Sequence, residues 1–142
     1  MSLVSPAPLP ARMRMSDRLR LFGEIVVAYI PLLRVLRTND LRRMVAEARA
    51  VAEERAMPVP VDAHDQAVRL GWIVNRVLAL FPTDGRCLMQ SLVLTRLLAA
   101  RSIDSTLIVG VHVATGFNAH AWVEHDGEAV LPVGPFEPLL RL

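Results

Sequence analysis

The order of the local sequence patterns predicts an α+β fold, with helices first and a small antiparallel sheet last. Up to about residue 101, apolar residues recur at the three- and four-residue spacing of amphipathic helices. After Ser102 the pattern changes to β-branched runs, and Asp126-Gly127 is a strong hairpin signal. Helical and strand patterns that are separated along one short chain predict helices packed on a sheet.

The chain is long enough to form one domain with its own core. It has 142 residues, of which 53% are hydrophobic and 5% aromatic. We expect residues 1–15, which include three early prolines, to be a loose lead-in. Residues 16–142 are expected to form a single domain, with a helical part at 16–101 and a β-meander at 105–134.

Start and stop signals divide the helical part into four helices. The predicted helices run from a cap at Ser16-Asp17 to about Leu36, from Thr38-Asn39-Asp40 through Leu41 to Arg55, from a cap at Asp62 through Ala63 to about Leu80, and from a cap at Asp84 to about Arg101. The third helix contains Trp72, which we expect in the core. Met57-Pro58-Val59-Pro60 breaks the chain but is too short to separate two domains.

Three strands are predicted in the second part. The run from Thr106 to Val113 is nearly all apolar, as in a central strand that is buried on both faces. Asn118 to Glu124 follows as the second strand, and Ala129 to Val133 returns after the hairpin turn.

Charge and hydropathy argue against several functional classes. The net charge is +2, and although arginines crowd the first third, the aromatic platforms and base-reading motifs of nucleic-acid-binding proteins are missing. The apolar run from Ile25 to Leu33 is too short to span a bilayer, so no transmembrane span is expected. A single cysteine gives no disulfide framework, which favours a reducing compartment and a cytoplasmic location.

Cys87, the single cysteine, is expected in the first turn of its helix. Unpaired N–H groups and the positive end of the helix dipole favour a thiolate at that position. The alternative is a structural cysteine, because free cysteines are often buried and inert. A reactive cysteine needs a base, and histidine is the usual one.

His120 is the best candidate for that base. Strand alternation places Asn118, His120, Trp122 and Glu124 on one face of the predicted sheet. A sheet packed against the Cys87 helix could present the imidazole to the sulfur. The result would be a thiolate–imidazolium pair and a proton for the leaving amine.

The remaining histidines have simpler explanations. His64 and Asp65 near a helix start are typical of a solvated capping region, and His112 is typical of a core or sheet-edge position. His112, His120 and His125 together could suggest zinc, but the spacing of known ligand sets is missing. The sequence therefore predicts no metal site.

Two motifs at this separation carry a family resemblance. The first is Gly85-Arg86-Cys87-Leu88 with Ser91-Leu92, and the second is Ala119-His120-Ala121-Trp122-Val123-Glu124 before the Asp-Gly turn. From Pro82 to the C-terminus, the chain resembles the transglutaminase-like cysteine peptidases of lasso-peptide biosynthesis, the leader-peptidase B proteins. The resemblance implies a transglutaminase-like or papain-like fold, with the nucleophile helix packed on the sheet.

The same resemblance implies an activity and partners. Cys87 would be the nucleophile that attacks the bond between leader and core of a ribosomally made precursor peptide, and His120 would be the base and later the acid. A leader-binding protein would deliver the precursor, and an ATP-dependent, asparagine-synthetase-like cyclase would close the ring. The peptidase step itself would need no cofactor.

The residue that should orient His120 departs from the family pattern. In the family an aspartate usually follows the hairpin turn, but here the corresponding positions are Leu131-Pro132-Val133. Asp126 is expected to form the turn itself. Three possibilities remain open: a backbone carbonyl orients the ring, Glu137 reaches back from the C-terminal tail, or His120 is left without full support.

The missing aspartate also motivates an alternative function, a transglutaminase-like protein that binds the precursor or its partners without cutting it. For a catalytic site, the Cys87 N–H could form one half of an oxyanion hole. Gln90 or Asn118 might supply a second donor, although both have ordinary polar roles available. Trp122 is expected in the core and could also line the substrate cleft.

Overall fold

The computed structural model describes residues 13–54, 58–81, 86–112, 114 and 118–142. The helices are α1 (Met15–Leu36), α2 (Leu41–Arg49), α3 (Val51–Glu54), α4 (Ala63–Leu78) and α5 (Arg86–Ala99). The strands are β1 (Thr106–His112), β2 (Asn118–His125), β3 (Glu128–Ala129) and β4 (Glu137–Arg141). They form one antiparallel sheet in the order β3-β2-β1-β4, which confirms the predicted α+β fold.

The start of α1 differs from its prediction. The helix begins at Met15 after Arg14, which makes no side-chain cap, so the predicted cap at Ser16-Asp17 is wrong. Asp17 instead lies inside the first turn, where a carboxylate interacts favourably with the positive end of the helix dipole. Among the described residues, no helix is long and apolar enough to cross a membrane.

The second predicted helix is divided in two. Asp40 caps α2 by accepting the backbone N–H of Arg43 at 3.1 Å, as the sequence predicts. The helix then stops at Arg49, and α3 follows after a turn at Ala50. The predicted end at Arg55 lies outside the described residues.

The last two helices are close to their predictions. α4 ends at Leu78, two residues before the expected Leu80, and α5 ends at Ala99 rather than at Arg101. Ser102 follows with a positive φ of 58°, a backbone conformation that does not continue a helix. The predicted cap at Asp84 lies outside the described residues.

The core is built around α5. This helix contacts α1, α2, α3 and α4 on the helical side and β1 and β2 on the sheet side. Most of its residues are therefore buried: Met89, Ser91, Leu92, Val93, Leu94, Thr95, Leu97, Leu98 and Ala99. The two buried hydroxyl groups are satisfied within the helix, because Ser91 Oγ donates to the Cys87 carbonyl and Thr95 Oγ1 to the Ser91 carbonyl, each at 2.8 Å.

The two faces of the sheet have different surroundings. Leu107, Val109 and Val123 pack against the core that contains α5. Residues that alternate with them, Gly110 on β1 and its partner His120 on β2, therefore lie on the opposite face. We call the face of Leu107 the core face and the face of His120 the outer face.

The predicted hairpin is present. Asp126 and Gly127 both have positive φ, 51° and 79°, as a two-residue type I′ turn requires, so Asp126 is the turn former that the sequence predicts. The return strand is shorter than expected, because β3 contains only Glu128–Ala129 rather than Ala129–Val133.

A fourth strand extends the sheet beyond the predicted 105–134 meander. β4 pairs with the free edge of β1, so the sheet is not a simple meander. Val109 pairs with Leu140 but Gly110 pairs with Pro138, so the register shifts by one residue at Leu139. The sequence predicts no strand in this segment, only a C-terminal tail.

The two tryptophans occupy different environments. Trp122 is 7% exposed, which confirms that it is buried. Trp72 is 49% exposed, so its predicted core position is wrong. The core side of α4 is instead formed by residues at helical spacing, Ala67, Leu70, Gly71, Val74 and Leu78.

Gly110 is required by close packing on the outer face. A Cβ atom added there would lie 2.5 Å from the Glu137 carbonyl oxygen and 2.6 Å from Cη2 of Trp122. Real Cβ atoms do not approach other atoms so closely, so β4 and the indole both depend on this glycine.

We predict that Gly110→Ala lowers the free energy of unfolding by about 1–3 kcal/mol, because backbone and indole must move to admit a methyl group. Gly23→Ala is the matched control, since a Cβ there meets nothing within 4 Å and lies inside α1. That change should raise stability by about 0.5–1 kcal/mol. Chemical denaturation of both variants measures the difference, and equal stabilities would contradict the packing at Gly110.

Candidate active site

The connection from α5 to β1 bears on which end of the sheet the start of α5 can approach. β1 begins soon after α5 ends, and the two elements pack against each other. The 14 residues of α5 span roughly 21 Å and the 7 residues of β1 roughly 23 Å. The start of α5 would therefore lie near the end of β1 and the beginning of β2 if the two elements run antiparallel.

Cys87 occupies the first turn of α5, as predicted, and is half-buried. Its carbonyl accepts the Ser91 hydroxyl, which ties this turn together. No described residue forms a hydrogen bond with its thiol. The sulfur is thus held by the helix backbone, without a polar side chain fixed against it.

His120 lies near the beginning of β2, between two aromatic rings. Its imidazole stacks on Trp122 at 6.1 Å between ring centroids and packs against Phe136 at 4.9 Å. Burial lowers the pKa of His120, because desolvation disfavours the imidazolium form. The histidine is therefore disposed to be neutral at pH 7, which suits a general base better than the predicted thiolate–imidazolium pair.

The predicted grouping on one strand face is confirmed for three of its members. The stacked rings place His120 and Trp122 together, and Trp122 Nε1 donates to Glu124 Oε1 at 3.3 Å. Arg141 Nη1 also donates to Glu124, at 2.8 Å. The Trp122 indole is buried and hydrogen-bonded to a carboxylate that Arg141 also contacts. It therefore packs against the imidazole as a ring of fixed orientation.

No hydrogen bond joins Cys87 and His120 in the described part of the chain. α5 packs on the core face, whereas His120 is on the outer face of β2. For the Cys87 sulfur to contact the His120 imidazole, the two side chains would therefore have to meet beside the edge of β2. The catalytic pairing of these two residues remains a prediction.

Glu137 is located on β4, opposite Val111. Because residues paired across antiparallel strands share a face, Glu137 falls on the face opposite to His120. Its side chain is exposed, and among the described residues no hydrogen bond or ion pair links it to the imidazole. Its role as the orienting residue remains a prediction.

The two proposed oxyanion donors lie on α5 and at the beginning of β2. Gln90 is half-buried one turn after Cys87, and Asn118 is exposed at the first position of β2, opposite His112. Neither side chain makes a hydrogen bond with another described residue. Their roles are therefore untested.

Phe136 is a part of this site that the sequence analysis missed. Its ring contacts both His120 and His112, the latter at 6.0 Å in an edge-on arrangement. Gly110 is the residue that could have indicated a group packed on this face, because a glycine inside a β-branched strand often marks the close approach of another group. That group is the segment that begins with Phe136 and continues as β4.

The other histidines belong to a separate contact between α4 and the hairpin. His125 Nδ1–H donates to the Asp104 carbonyl at 2.7 Å, and its Nε2 lies 3.3 Å from Asp126 Oδ2. His64 stacks on His125 at 5.7 Å. Within the described ranges, no group of three or more histidine, cysteine, aspartate or glutamate side chains could hold a metal ion.

Comparison with protein families gives one match. The sequence profile described as "Transglutaminase-like superfamily" matches residues 26–141, which is well over half of the 142-residue chain. No curated protein matches the sequence. No solved structure matches it either.

We predict that Phe136→Ala raises the pKa of His120 toward its ordinary value, because removing the ring readmits water to the imidazole. NMR titration of the histidine ring protons measures the change. Leu139→Ala is the control, since Leu139 is exposed on β4, three residues after Phe136, and should leave the titration unchanged. An unaltered pKa in Phe136→Ala would show that other groups desolvate His120.

Proposed function

Because this chain belongs to the transglutaminase-like superfamily, whose members are commonly cysteine-peptidase-like, we propose that it is a cysteine peptidase. Its proposed substrate is a ribosomally made lasso-peptide precursor, from which it removes the leader. The observation that carries the proposal is the position of the single cysteine. It occupies the first turn of a central buried helix that packs on the strand bearing a desolvated histidine.

In the proposed reaction, neutral His120 takes the proton from the Cys87 thiol as sulfur attacks the scissile carbonyl carbon. The tetrahedral intermediate then expels the amine of the core peptide, which receives the proton from His120. Water next attacks the thioester that joins the leader to Cys87, again with His120 as the base. Hydrolysis frees the leader acid and regenerates the thiol.

The oxyanion of each intermediate needs hydrogen-bond donors. The described part of α5 begins at Arg86, one residue before Cys87, and N–H groups in the first turn of a helix have no partner within it. We assign the backbone N–H of Cys87 as one donor, with Gln90 or Asn118 as candidates for the second. Two such donors would stabilise charge that develops only during the reaction.

A Cys–His dyad is better supported than a triad with Glu137. The rings of Trp122 and Phe136 restrict the orientation of His120, which partly replaces the role of a carboxylate. Glu137 is exposed on the neighbouring β4 and makes no described contact with the imidazole. A backbone carbonyl remains the other candidate for orienting the ring.

The proposed partners are a leader-binding protein and an ATP-dependent, asparagine-synthetase-like cyclase. α1 exposes an unusual number of large apolar side chains, which is typical of surfaces that contact other proteins. These residues are Met15, Leu19, Phe22, Val27 and Ile30. The cytoplasmic location expected from the single cysteine belongs to the same proposal.

A non-catalytic binding protein is the second candidate function. It is favoured by the absence of any described hydrogen bond to the Cys87 thiol and of a carboxylate against His120. Such a protein would hold the precursor peptide or its maturation partners without forming a thioester.

We predict that Cys87→Ala abolishes leader removal and that His120→Ala slows it by roughly 10²–10⁴-fold, because the thiol then lacks its base. The assay incubates the protein with the small peptide encoded beside it, with and without the neighbouring leader-binding protein, and weighs the products. His112→Ala is the matched control, because His112 lies on the same face and contacts the same Phe136. Full turnover by Cys87→Ala protein would refute the peptidase.

We also predict that Glu137→Gln leaves kcat within about threefold of the unchanged protein, since a triad carboxylate would cost far more when neutralised. Glu128→Gln, an exposed change on β3, is the control. A loss of a hundredfold or more in Glu137→Gln alone would establish Glu137 as the third catalytic member.

Thiol labelling near pH 6 separates the peptidase from the binding protein. A cysteine activated by a neighbouring base reacts quickly there, whereas an unactivated thiol reacts slowly. We expect Cys87 to be labelled faster than a thiol that has no neighbouring base, because neutral His120 can take its proton, and we expect His120→Ala to remove that difference. Slow labelling, equal in both proteins, would favour the binding protein.

A further inference from the structure

α1 carries apolar side chains on two faces. The face that packs on the core contains Leu21, Ile25, Ala28, Tyr29 and Leu32. A second series of apolar residues recurs at three- and four-residue spacing, so its members are neighbours along another face of the helix. We call this series the apolar stripe, and its members are Met15, Leu19, Phe22, Val26, Ile30 and Leu33.

The apolar stripe is open to solvent. Four of its members are between 44% and 69% exposed, namely Met15, Leu19, Phe22 and Ile30, and the other two are half-buried. The stripe is roughly 27 Å long, at a rise of about 1.5 Å per residue. A helix on the surface of a globular protein normally carries polar residues on its outer face. An apolar ridge of this length is typical of a surface that contacts another molecule.

The charges that border the apolar stripe on α1 and its C-cap are positive. Arg18, Arg34 and Arg37 each lie three or four residues from a member of the stripe, which makes them its neighbours on the helix surface. All three are exposed, and none forms an ion pair with another described residue. The carboxylates of α1 belong to Asp17 and Glu24, and neither residue has that spacing from any member of the stripe. The partner of this surface therefore has to combine apolar groups with negative charge.

Two features of the apolar stripe favour lipid over protein as its partner. A second copy of the chain would bring its own arginines against Arg18 and Arg34, and like charges at short range repel each other. The stripe is also the outer side of a single helix and forms a convex ridge, whereas tight protein contacts need complementary shapes and pockets for their anchor residues. Fluid acyl chains adapt to a ridge, and acidic headgroups supply the negative charge at its borders.

We propose that α1 lies in the plane of an anionic membrane surface, with the apolar stripe against the acyl chains. Arg18, Arg34 and Arg37 are then located among the acidic headgroups. Arginine can bury its aliphatic stem beside apolar groups while the guanidinium stays at the level of the headgroups. The inference does not depend on the proposed peptidase function, and it gives the apolar surface of α1 a lipid partner in preference to a protein.

Sedimentation with sucrose-loaded vesicles tests the proposal. Vesicles of phosphatidylcholine alone are compared with vesicles that also contain phosphatidylglycerol. We expect the unchanged protein to bind the acidic vesicles more than tenfold more tightly, because each arginine near an acidic surface contributes about fivefold. That preference should disappear in about 1 M salt, where the Debye length falls to about 3 Å. Equal binding to both kinds of vesicle, or binding to neither, would overturn the proposal.

Leu19→Gln tests the apolar part of the contact. Leu139→Gln is the matched control, because Leu19 is 65% exposed and Leu139, on the distant β4, is 68% exposed. We expect Leu19→Gln to weaken binding to acidic vesicles about tenfold, since an apolar side chain no longer enters the acyl region. Leu139→Gln should leave binding unchanged, and equal losses in the two variants would contradict the assignment to α1. If Leu19→Gln protein fails to fold, the lipid and salt dependence of the unchanged protein still decides.

Arg34→Gln tests the charged border of the stripe. Arg76→Gln is its control, since Arg76 is an exposed arginine on α4 that forms no described ion pair. We expect Arg34→Gln alone to weaken binding to acidic vesicles about fivefold. The same loss from Arg76→Gln would mean that net charge, and not the border of the stripe, determines the binding.

Light scattering without lipid detects the competing partners. A dimer that Leu19→Gln dissociates, in a protein that does not bind vesicles, would assign the stripe to a second copy of the chain. A complex with the neighbouring leader-binding protein that Leu19→Gln abolishes, again without vesicle binding, would assign it to a protein partner. Either result would overturn the proposal.

Discussion

The burial of α5 is the constraint on which the rest of the structure depends. One helix packs against the four others and against the two central strands, so nearly every position from Met89 to Ala99 is apolar or internally hydrogen-bonded. A helix that is surrounded on all sides cannot rotate or slide without opening the core. Its first turn is therefore a rigid platform, and Cys87 receives its position from contacts made far from the sulfur. In the proposed function, the chemistry would be carried at the start of this helix, where Cys87 is half-buried.

His120 is held by a different kind of contact. Trp122 and Phe136 are flat and apolar, and they remove water from the imidazole while leaving its nitrogens without a described hydrogen bond. A carboxylate neighbour would stabilise the imidazolium form, whereas these rings favour the neutral form. The site thus combines a fixed helix turn with a histidine whose protonation is set by burial rather than by an opposite charge.

Local signals in the sequence were sufficient for the features that local energetics decide. The Asp40 cap, the Asp126-Gly127 turn and the long apolar periodicity of α1 each follow from a few neighbouring residues. β4 could not be predicted in this way, because Pro138 and the exposed Leu139-Leu140 lack strand alternation and the segment is a strand only beside β1. The core position predicted for Trp72 is wrong for a related reason, since hydrophobicity alone does not say which side of α4 the neighbouring elements cover. The proposed pairing of Cys87 with His120 would depend on how α5 and β2 pack, which no local pattern specifies.

The register shift in β4 has a consequence for the polarity beside His120. With the shift at Leu139, Glu137 is opposite Val111, and the aromatic ring of Phe136 covers the histidine. A regular ladder continued from Val109 and Leu140 would instead pair Glu137 with His112 and carry its carboxylate to the outer face. A one-residue irregularity therefore decides whether an aromatic ring or an acid accompanies the histidine. Sequences of this fold could interchange the two arrangements by adding or removing a single residue in the last strand, without altering the residues of the site.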